Sequence, residues 1–161
     1  MIYDNSKIRR QDRLLDKERA SEILKEGEYG VLSMATENGG YGIPINYVFD
    51  ESRECLYFHC APEGEKLRCI AMDNRVSFCI VGKTKVAPSK FTTAYESIVI
   101  RGKTEADLPA EERMHALELI LDKYSPNDKT TGMKYAEKSF HRTRILRLDI
   151  QQISGKSKKI R

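Results

Sequence analysis

The sequence predicts a mainly β protein with inserted α-helices, in which about six antiparallel strands close into a small barrel. Short hydrophobic segments follow one another at hairpin spacing between residues 29 and 60, and turns that accept positive φ angles separate them. Amphipathic helical segments are inserted between the later strands. A chain of 161 residues fits one domain, in which closure of the sheet hides strand edges that would otherwise be exposed.

The first predicted elements are a helix and a three-stranded meander. Residues 16–27 form the helix, with Asp16 as its N-cap and Gly27 as its left-handed stop. Apolar and β-branched content then predicts strands, which are expected over 29–36, 41–50 and 55–60.

Two further strands and a short helix are expected in the middle of the chain. Apolar residues at helical spacing predict a short amphipathic helix over 64–74. Strands are predicted over 76–81 and 97–105. The polar segment 82–95 between them contains three lysines and is expected to be a long loop.

The clearest helical pattern starts near Pro109 and continues to Tyr124, with two glutamates in its first turn. A weaker helix near 132–138 and a last strand over 143–153 are expected to follow. The predicted parts of the single domain 1–161 are an N-terminal arm and helix (1–28), the main barrel strands (29–105), a helical insertion (106–142), the last strand (143–155) and a basic tail (156–161).

Composition excludes several classes of protein. No apolar run approaches the roughly 20 residues of a membrane span, and the first residues are polar, so we expect a soluble cytoplasmic protein without a membrane partner. The net charge is only +4, and the strands do not interleave exposed aromatics with basic residues, so no nucleic-acid partner is expected. The cysteines show no C-x-x-C spacing, which favours reduced thiols and no metal site; they are Cys55, Cys60, Cys69 and Cys79.

The segment 57–67 is the most informative part of the sequence, because a short hydrophobic strand runs through a Pro/Gly break into a predicted helix N-terminus. The first-turn N–H groups of Gly64, Glu65 and Lys66 are the unpaired donors of such a helix, and the Lys66 ammonium adds a positive charge. This predicts a phosphate site. His59, at the strand end, is either a proton donor to a bound ligand or a structural histidine.

Common catalytic motifs are missing from the sequence. It contains no G-x-S-x-G elbow, no Walker loop and no H-E-x-x-H pattern. This favours a cofactor that supplies the reactivity, with the protein supplying position and electrostatics.

An ordered series of motifs resembles the FMN-binding split-barrel superfamily. The series covers 29–32, 42–47, 57–61 with Gly64 and Lys66, and 95–100 with Gly102. Within that superfamily the chain is similar to the nitroimidazole-resistance (nitroimidazole reductase-like) branch of the pyridoxamine 5'-phosphate oxidase-related proteins. The resemblance spans about residues 8–156, and its most specific part is the string F-H-x-A-x-x-G-x-K from Phe58 to Lys66.

The resemblance implies a six-stranded antiparallel split β-barrel of the FMN-binding type that pairs as a homodimer, with the flavins at the interface. The second strand would line the flavin ring, chiefly through backbone groups, and the end of the third would flank the ring and ribityl chain. Ser97 matches a polar position near the phosphate or ribityl chain, and Lys156 is a candidate contribution from the partner. The cofactor-binding residues expected from the resemblance are Ile43, Pro44, Ile45, Asn46, Tyr47, Phe58, His59, Cys60, Ala61, Gly64, Glu65, Lys66, Leu67 and Ser97.

The resemblance also implies an FMN-dependent oxidoreductase that reduces a small, electron-poor, nitroimidazole-like molecule, with His59 as its catalytic residue. Two departures from the oxidases stand out. The segment 153–158 lacks their Arg-x-His type substrate motif, which argues against vitamin B6 oxidation, and their adjacent basic pair is reduced to Glu65 and Lys66. The alternative is a non-catalytic flavin-binding protein for storage or sensing, which the absence of a nicotinamide motif favours.

Overall fold

The strands and helices of the computed structural model, which describes residues 1–160, follow the order that the sequence predicts, with differences at several ends. The strands are β1 (Ile2–Tyr3), β2 (Tyr29–Thr36), β3 (Gly39–Asn46), β4 (Val48–Asp50), β5 (Cys55–Cys60), β6 (Arg75–Ala87), β7 (Thr92–Glu105) and β8 (Arg144–Lys158). The helices are α1 (Lys17–Glu26), α2 (Glu65–Met72), α3 (Ala110–Tyr124) and α4 (Lys129–Ser139).

The strands form one sheet in the order β3-β2-β6-β7-β8-β5-β4, with β1 added beside β8. Every pairing is antiparallel except that of β1 with β8. The predicted strand over 41–50 is divided at Tyr47 into β3 and β4, which stand at opposite ends of this order. Because β3 and β4 are consecutive in the chain, the two ends of the sheet lie next to each other and the sheet forms a barrel, in which β3 keeps one edge free. The predicted split barrel is confirmed.

The barrel interior is a continuous apolar core. Leu32, Phe78, Ile100 and Ile153 occupy one register row across four neighbouring strands, and all four are buried. The Phe78 ring stands edge-on to the ring of Phe58, with centroids 5.1 Å apart. These contacts fix which face of each strand points inward, because a shift by one residue would turn the apolar set outward.

Helix α1 closes one end of the barrel and begins as predicted. The Asp16 carboxylate accepts a hydrogen bond from the Arg19 N–H at 2.7 Å. The left-handed stop predicted for Gly27 is wrong, because Gly27 ends the helix with φ −57°. Glycine is required for space, since a Cβ there would lie 2.6 Å from the Tyr47 hydroxyl and 2.8 Å from Ile80 Cγ2.

The predicted loop over 82–95 is also wrong, because β6 and β7 continue through most of it as a two-stranded arm. Val86 is 66% exposed and Phe91, at the turn, is 97% exposed with φ 48°. Neither face of the arm packs on the barrel core, so its sequence carries no strict apolar alternation. Backbone hydrogen bonds between its two strands hold it together.

The predicted basic tail starts inside β8. Ser97 pairs with Lys156 and Tyr95 pairs with Lys158, so β8 follows β7 beyond the predicted end at 155. Arg161, the last residue of that tail, lies outside the described residues.

A second apolar layer lies between the outer face of β4, β5 and β8 and the helices α3 and α4. Tyr57 and Ile145 from the sheet meet Ala116, Leu117 and Ala136 from the helices, and all five are buried. Within residues 1–160 no helix combines the length and apolar character that crossing a bilayer requires.

Two polar links fasten the first half of α3 to the sheet. The Tyr57 hydroxyl and an Arg147 N–H donate to Glu112 Oε1 at 2.8 and 2.9 Å. Burial by itself would raise the pKa of Glu112, but the bonds from Arg147 and Tyr57 outweigh it and lower that pKa. In the second link, His115 Nε2 lies 2.8 Å from a carboxylate oxygen of the buried Asp50.

Replacing Glu112 by Gln is expected to lower the free energy of unfolding at neutral pH by about 1–3 kcal/mol, because the bonds to an ionised, mostly buried acceptor are weakened. Since the folded-state pKa is lowered, this stabilisation is present above the ordinary glutamate pKa and is lost as pH falls through the folded value. Urea unfolding of the two proteins at neutral pH and in acid measures both effects. The exposed neighbour serves as control: Glu111→Gln should change little, and an equal loss in both variants would contradict the role of Glu112.

Candidate functional site

The start of α2 presents unpaired backbone donors. Gly64 precedes the helix with φ 140°, a conformation that favours glycine, and its carbonyl accepts from the N–H groups of Leu67 and Arg68 at 3.2 and 3.3 Å. The N–H groups of Glu65 and Lys66 have no acceptor within residues 1–160. The helix therefore offers two adjacent donors at its positive end to an anion.

The Lys66 side chain adds a cation beside these donors. It forms no ion pair with any acidic group in the described part of the chain. Its charge acts on two neighbours: burial and Lys66 together lower the pKa of His59, while burial raises the pKa of Cys60 and the charges of Lys66 and Arg144 oppose that rise. Lys66 thus lies close to both residues at the end of β5.

Arg144 is a second cation here, which sequence reasoning missed. It pairs with Cys60 across β8 and β5, and its guanidinium donates to a carboxylate oxygen of Asp107 at 3.3 Å. No local sequence signal identifies it, because only the pairing of strands 84 positions apart in sequence brings Arg144 to this end of the barrel.

His59 and Phe58 lie on opposite faces of β5, as the alternation predicts. Phe58 is fully buried inside the barrel, whereas His59 lies on the face that also carries Tyr57, towards the helices. The His59 residue is exposed. Because its pKa is lowered, the imidazole is neutral at pH 7.

The free edge of β3 lies at the opening of the barrel. Among residues 1–160 this strand pairs with β2 only, so the backbone groups along its other edge have no strand partner there. The side chains of Ile43 and Ile45 pack against the barrel core, while Pro44 and Asn46 are exposed. Asn46 Nδ2 donates to the Glu28 carbonyl at 3.1 Å and so ties the end of β3 to the start of β2.

Tyr47, directly after β3, uses all its polar groups inside the protein. Its hydroxyl donates to the Leu24 carbonyl at 2.7 Å, its N–H donates to the Tyr124 hydroxyl at 3.0 Å, and its carbonyl accepts from Lys123 Nζ at 3.0 Å. Lys123 also donates to the Gly27 carbonyl at 2.7 Å, and burial lowers its pKa to about 8. Tyr47 therefore has no polar group left for a ligand.

The structure places Ser97 apart from the predicted site residues at the end of β5 and the start of α2. The end of β5 and the start of α2 place His59, Cys60 and Lys66 side by side. Ser97 pairs with Lys156, near the last residue of β8, whereas Cys60 pairs with Arg144, the first residue of β8. Those positions are about 40 Å apart along the strand, at roughly 3.3 Å per residue. A ligand held by Lys66 would therefore lie near the first residue of β8, whereas Ser97 lies near the last.

The remaining predicted contacts differ in exposure. Phe58 contributes to the core, Leu67 is half-buried against it, and Ala61 is exposed in the turn before α2. The predicted assignment of these residues to a cofactor stays a prediction.

The outer face of the sheet carries an apolar row. Pro44, Val31, Cys79, Val99 and Ser154 are in register across β3, β2, β6, β7 and β8, so their side chains share one face. Solvent reaches this face, since Val31 is 38% exposed. An exposed apolar patch is typical of an interaction site.

Comparison with solved structures shows the same fold in several proteins. A candidate 5-nitroimidazole antibiotic resistance protein from Bacteroides thetaiotaomicron is 24% identical, with 90% of this chain and 86% of that chain covered and a TM-score of 0.73. An FAD-binding protein from Mesorhizobium loti is 21% identical over 91% of this chain and 98% of that one, with a TM-score of 0.64. An FAD and heme binding protein from Mycobacterium smegmatis is 17% identical, with 93% of this chain and 75% of that chain covered and a TM-score of 0.70.

No curated protein matches the sequence. The sequence model of the pyridoxamine 5'-phosphate oxidase family, however, matches residues 16–157, which include the barrel strands β2 to β8 almost to their end, the turn before α2 and both helices of the outer layer. This chain belongs to the pyridoxamine 5'-phosphate oxidase family.

Proposed function

We propose that the chain is an FMN-dependent oxidoreductase that reduces a small, electron-poor organic molecule of the nitroimidazole type. One observation carries the proposal: in a barrel of this family, the unpaired N–H groups of Glu65 and Lys66 and the Lys66 side chain come together where α2 follows β5, and we call this group, with Gly64, the anion cradle. The name of the Bacteroides thetaiotaomicron neighbour supports the substrate class.

The residues at the opening fit an FMN molecule. The free N–H groups of Glu65 and Lys66 and the Lys66 ammonium match a phosphate, which prefers charged and backbone donors at a helix N-terminus. The free edge of β3 offers backbone donors and acceptors to the polar edge of the flavin ring. We assign Cys60 and Ala61 to the ring and ribityl chain. When bound, FMN supplies hydride transfer between an electron donor and the substrate.

His59 is the side chain that we assign to proton transfer or substrate contact. It stands beside Lys66, and its neutral imidazole both donates and accepts hydrogen bonds at pH 7. Tyr47 has a different role, which is to hold the end of β3 through its buried hydrogen bonds. Tyr47 is therefore a positioning residue in this proposal.

We further propose that the active form is a homodimer built on the apolar outer face. Tyr29 and Val81 extend the row at Val31 and are 57% and 61% exposed, and Phe91 on the arm is 97% exposed. A second copy would cover these groups. Ser97, on β7 beside the far end of β8, would then complete the flavin site of the partner rather than its own.

A non-catalytic flavin-binding protein is the second candidate. The names of two structural neighbours mention FAD binding and no reaction. A bound flavin that neither NADH, NADPH nor dithionite reduces productively in the presence of a nitroimidazole would favour this candidate. Parallel titration with FMN and FAD identifies the cofactor, and a protein that is colourless after incubation with each flavin and removal of the unbound flavin would end both proposals.

Replacing Lys66 by Met should weaken FMN binding about 10- to 100-fold, because a charge-assisted hydrogen bond contributes roughly 1.5–3 kcal/mol. Riboflavin lacks the phosphate, so its dissociation constant should not change. Flavin fluorescence quenching measures both constants, with Lys138→Met as control because Lys138 is exposed on α4. Equal weakening of FMN and riboflavin would contradict a phosphate contact by Lys66.

The same substitution is expected to raise the pKa of His59 in the flavin-free protein, because it removes the positive charge that helps burial to lower that pKa. NMR titration of the imidazole signals measures the change, with His59→Gln to assign the resonance. Lys138→Met again provides the comparison. An unchanged titration curve in Lys66→Met would show that the two side chains do not interact.

Val81→Glu should prevent dimer formation, because it buries a charge in the proposed interface. Sedimentation velocity should show a monomer, with FMN affinity lowered at least about tenfold if the partner completes the site. Tyr135→Glu places the same charge on α4, where the side chain is 69% exposed, and should leave the dimer intact. A dimeric Val81→Glu protein would place the interface elsewhere.

A further inference from the structure

A cavity of about 460 Å³ lies between α3 and α4, outside the barrel. Its walls are mainly apolar and include Leu117, Ile120, Leu121, Tyr135 and Ala136. A volume of this size is typical of sites that enclose a small molecule of one or two rings. The cavity is therefore large enough for an organic ligand.

The helices around the cavity are fixed in place. Glu112, in the first half of α3, is bonded to the sheet, and Lys123 and Tyr124 fasten its last turn to the barrel. Near the turn to α4, a Cβ on Gly132 would lie 2.5 Å from Leu121 Cδ2, which shows that the helices approach closely there. The space beside this contact is thus held open by anchored elements.

His59 connects the cavity to the proposed flavin site. Its side chain is part of the cavity lining, and its neighbours Cys60 and Lys66 belong to the anion-binding end of the barrel. The other polar groups at the rim include Asp128 and Thr131. No lysine or arginine is among the lining residues, and Asp128 is the one acidic residue among them.

We propose that this cavity is the substrate compartment: it binds a neutral, mainly apolar aromatic molecule whose polar end forms a hydrogen bond with His59. The apolar walls favour a ring system, and the single carboxylate at the rim disfavours an anion. The assignment as substrate compartment rests on the proposed function. Binding of an aromatic ligand to the cavity itself does not require the flavin, so the two are tested separately.

Indole is a suitable probe because it is a neutral aromatic with one N–H donor and the protein contains no tryptophan, so indole emission reports the ligand alone. Thr131→Phe should fill the cavity from its exposed rim and weaken indole binding at least about tenfold. Thr130→Phe places the same ring on the preceding residue of α4, outside the lining, and this variant should bind indole like the unmodified protein.

A second pair of measurements tests the charge at the rim and stays informative if Thr131→Phe does not fold. Indole-3-carboxylate should bind more weakly than indole, and Asp128→Asn should reduce that difference at least about threefold without affecting indole. Equal indole binding in all variants, or a preference for the anion that Asp128→Asn leaves unchanged, would overturn the cavity assignment.

The link to catalysis has its own readout. In the FMN-loaded protein, Thr131→Phe should raise KM for a nitroimidazole while the dissociation constant of FMN stays the same. If indole binding follows the predictions but no flavin binds, the cavity is a ligand site and the oxidoreductase proposal fails. If flavin binds and nitroimidazole turnover is the same in Thr131→Phe, the substrate binds elsewhere.

Discussion

The hydrogen bonds that Lys123 and Tyr124 make to the backbone around Tyr47 determine where the barrel opens. These two side chains, at the end of α3, reach carbonyl groups at Gly27, Glu28 and Tyr47. They satisfy backbone carbonyls at the point where the strand pairing stops, where unpaired groups would otherwise destabilise the fold. As a result β4 joins β5, whereas β3 turns away with one edge free.

The opening, the anion cradle and the α3–α4 cavity meet at the end of β5. Phe58 points into the barrel and His59 points to the helices, so adjacent residues of one strand connect the two apolar layers. Under our proposals the phosphate, the ring and the substrate each contact different elements around this strand end. The arrangement would allow a reaction to be positioned by rigid secondary structure rather than by a mobile loop.

Local sequence signals were sufficient for the elements whose patterns are short-range. The Asp16 cap, the α3 pattern and the strand-to-helix junction at Gly64 all depend on neighbours within a few residues, and all appear in the structure. The arm of β6 and β7 was missed because its exposed faces lack apolar alternation. The reason for Gly27 was missed because it depends on Tyr47, which lies twenty residues further along.

In the candidate site, too, local sequence signals indicate some residues, whereas others depend on contacts between distant parts of the chain. The unpaired N–H groups of Glu65 and Lys66 follow from the start of the helix alone, so the sequence indicates these donors directly. Arg144, Lys123 and the cavity depend on strand register and helix packing over long sequence separations, which no periodicity encodes. Strand register also explains why Ser97, although part of the motif series, lies far from Lys66 in the same chain.

Pro44 in the free edge of β3 has a consequence for solubility in the absence of a cofactor. Proline is accepted in an edge strand when its nitrogen faces away from the neighbouring strand, so it removes one N–H donor from the open side. An extended segment from another molecule would need that donor to continue the sheet. The edge can thus remain available to a planar ring while it resists the strand addition that leads to fibrous aggregates.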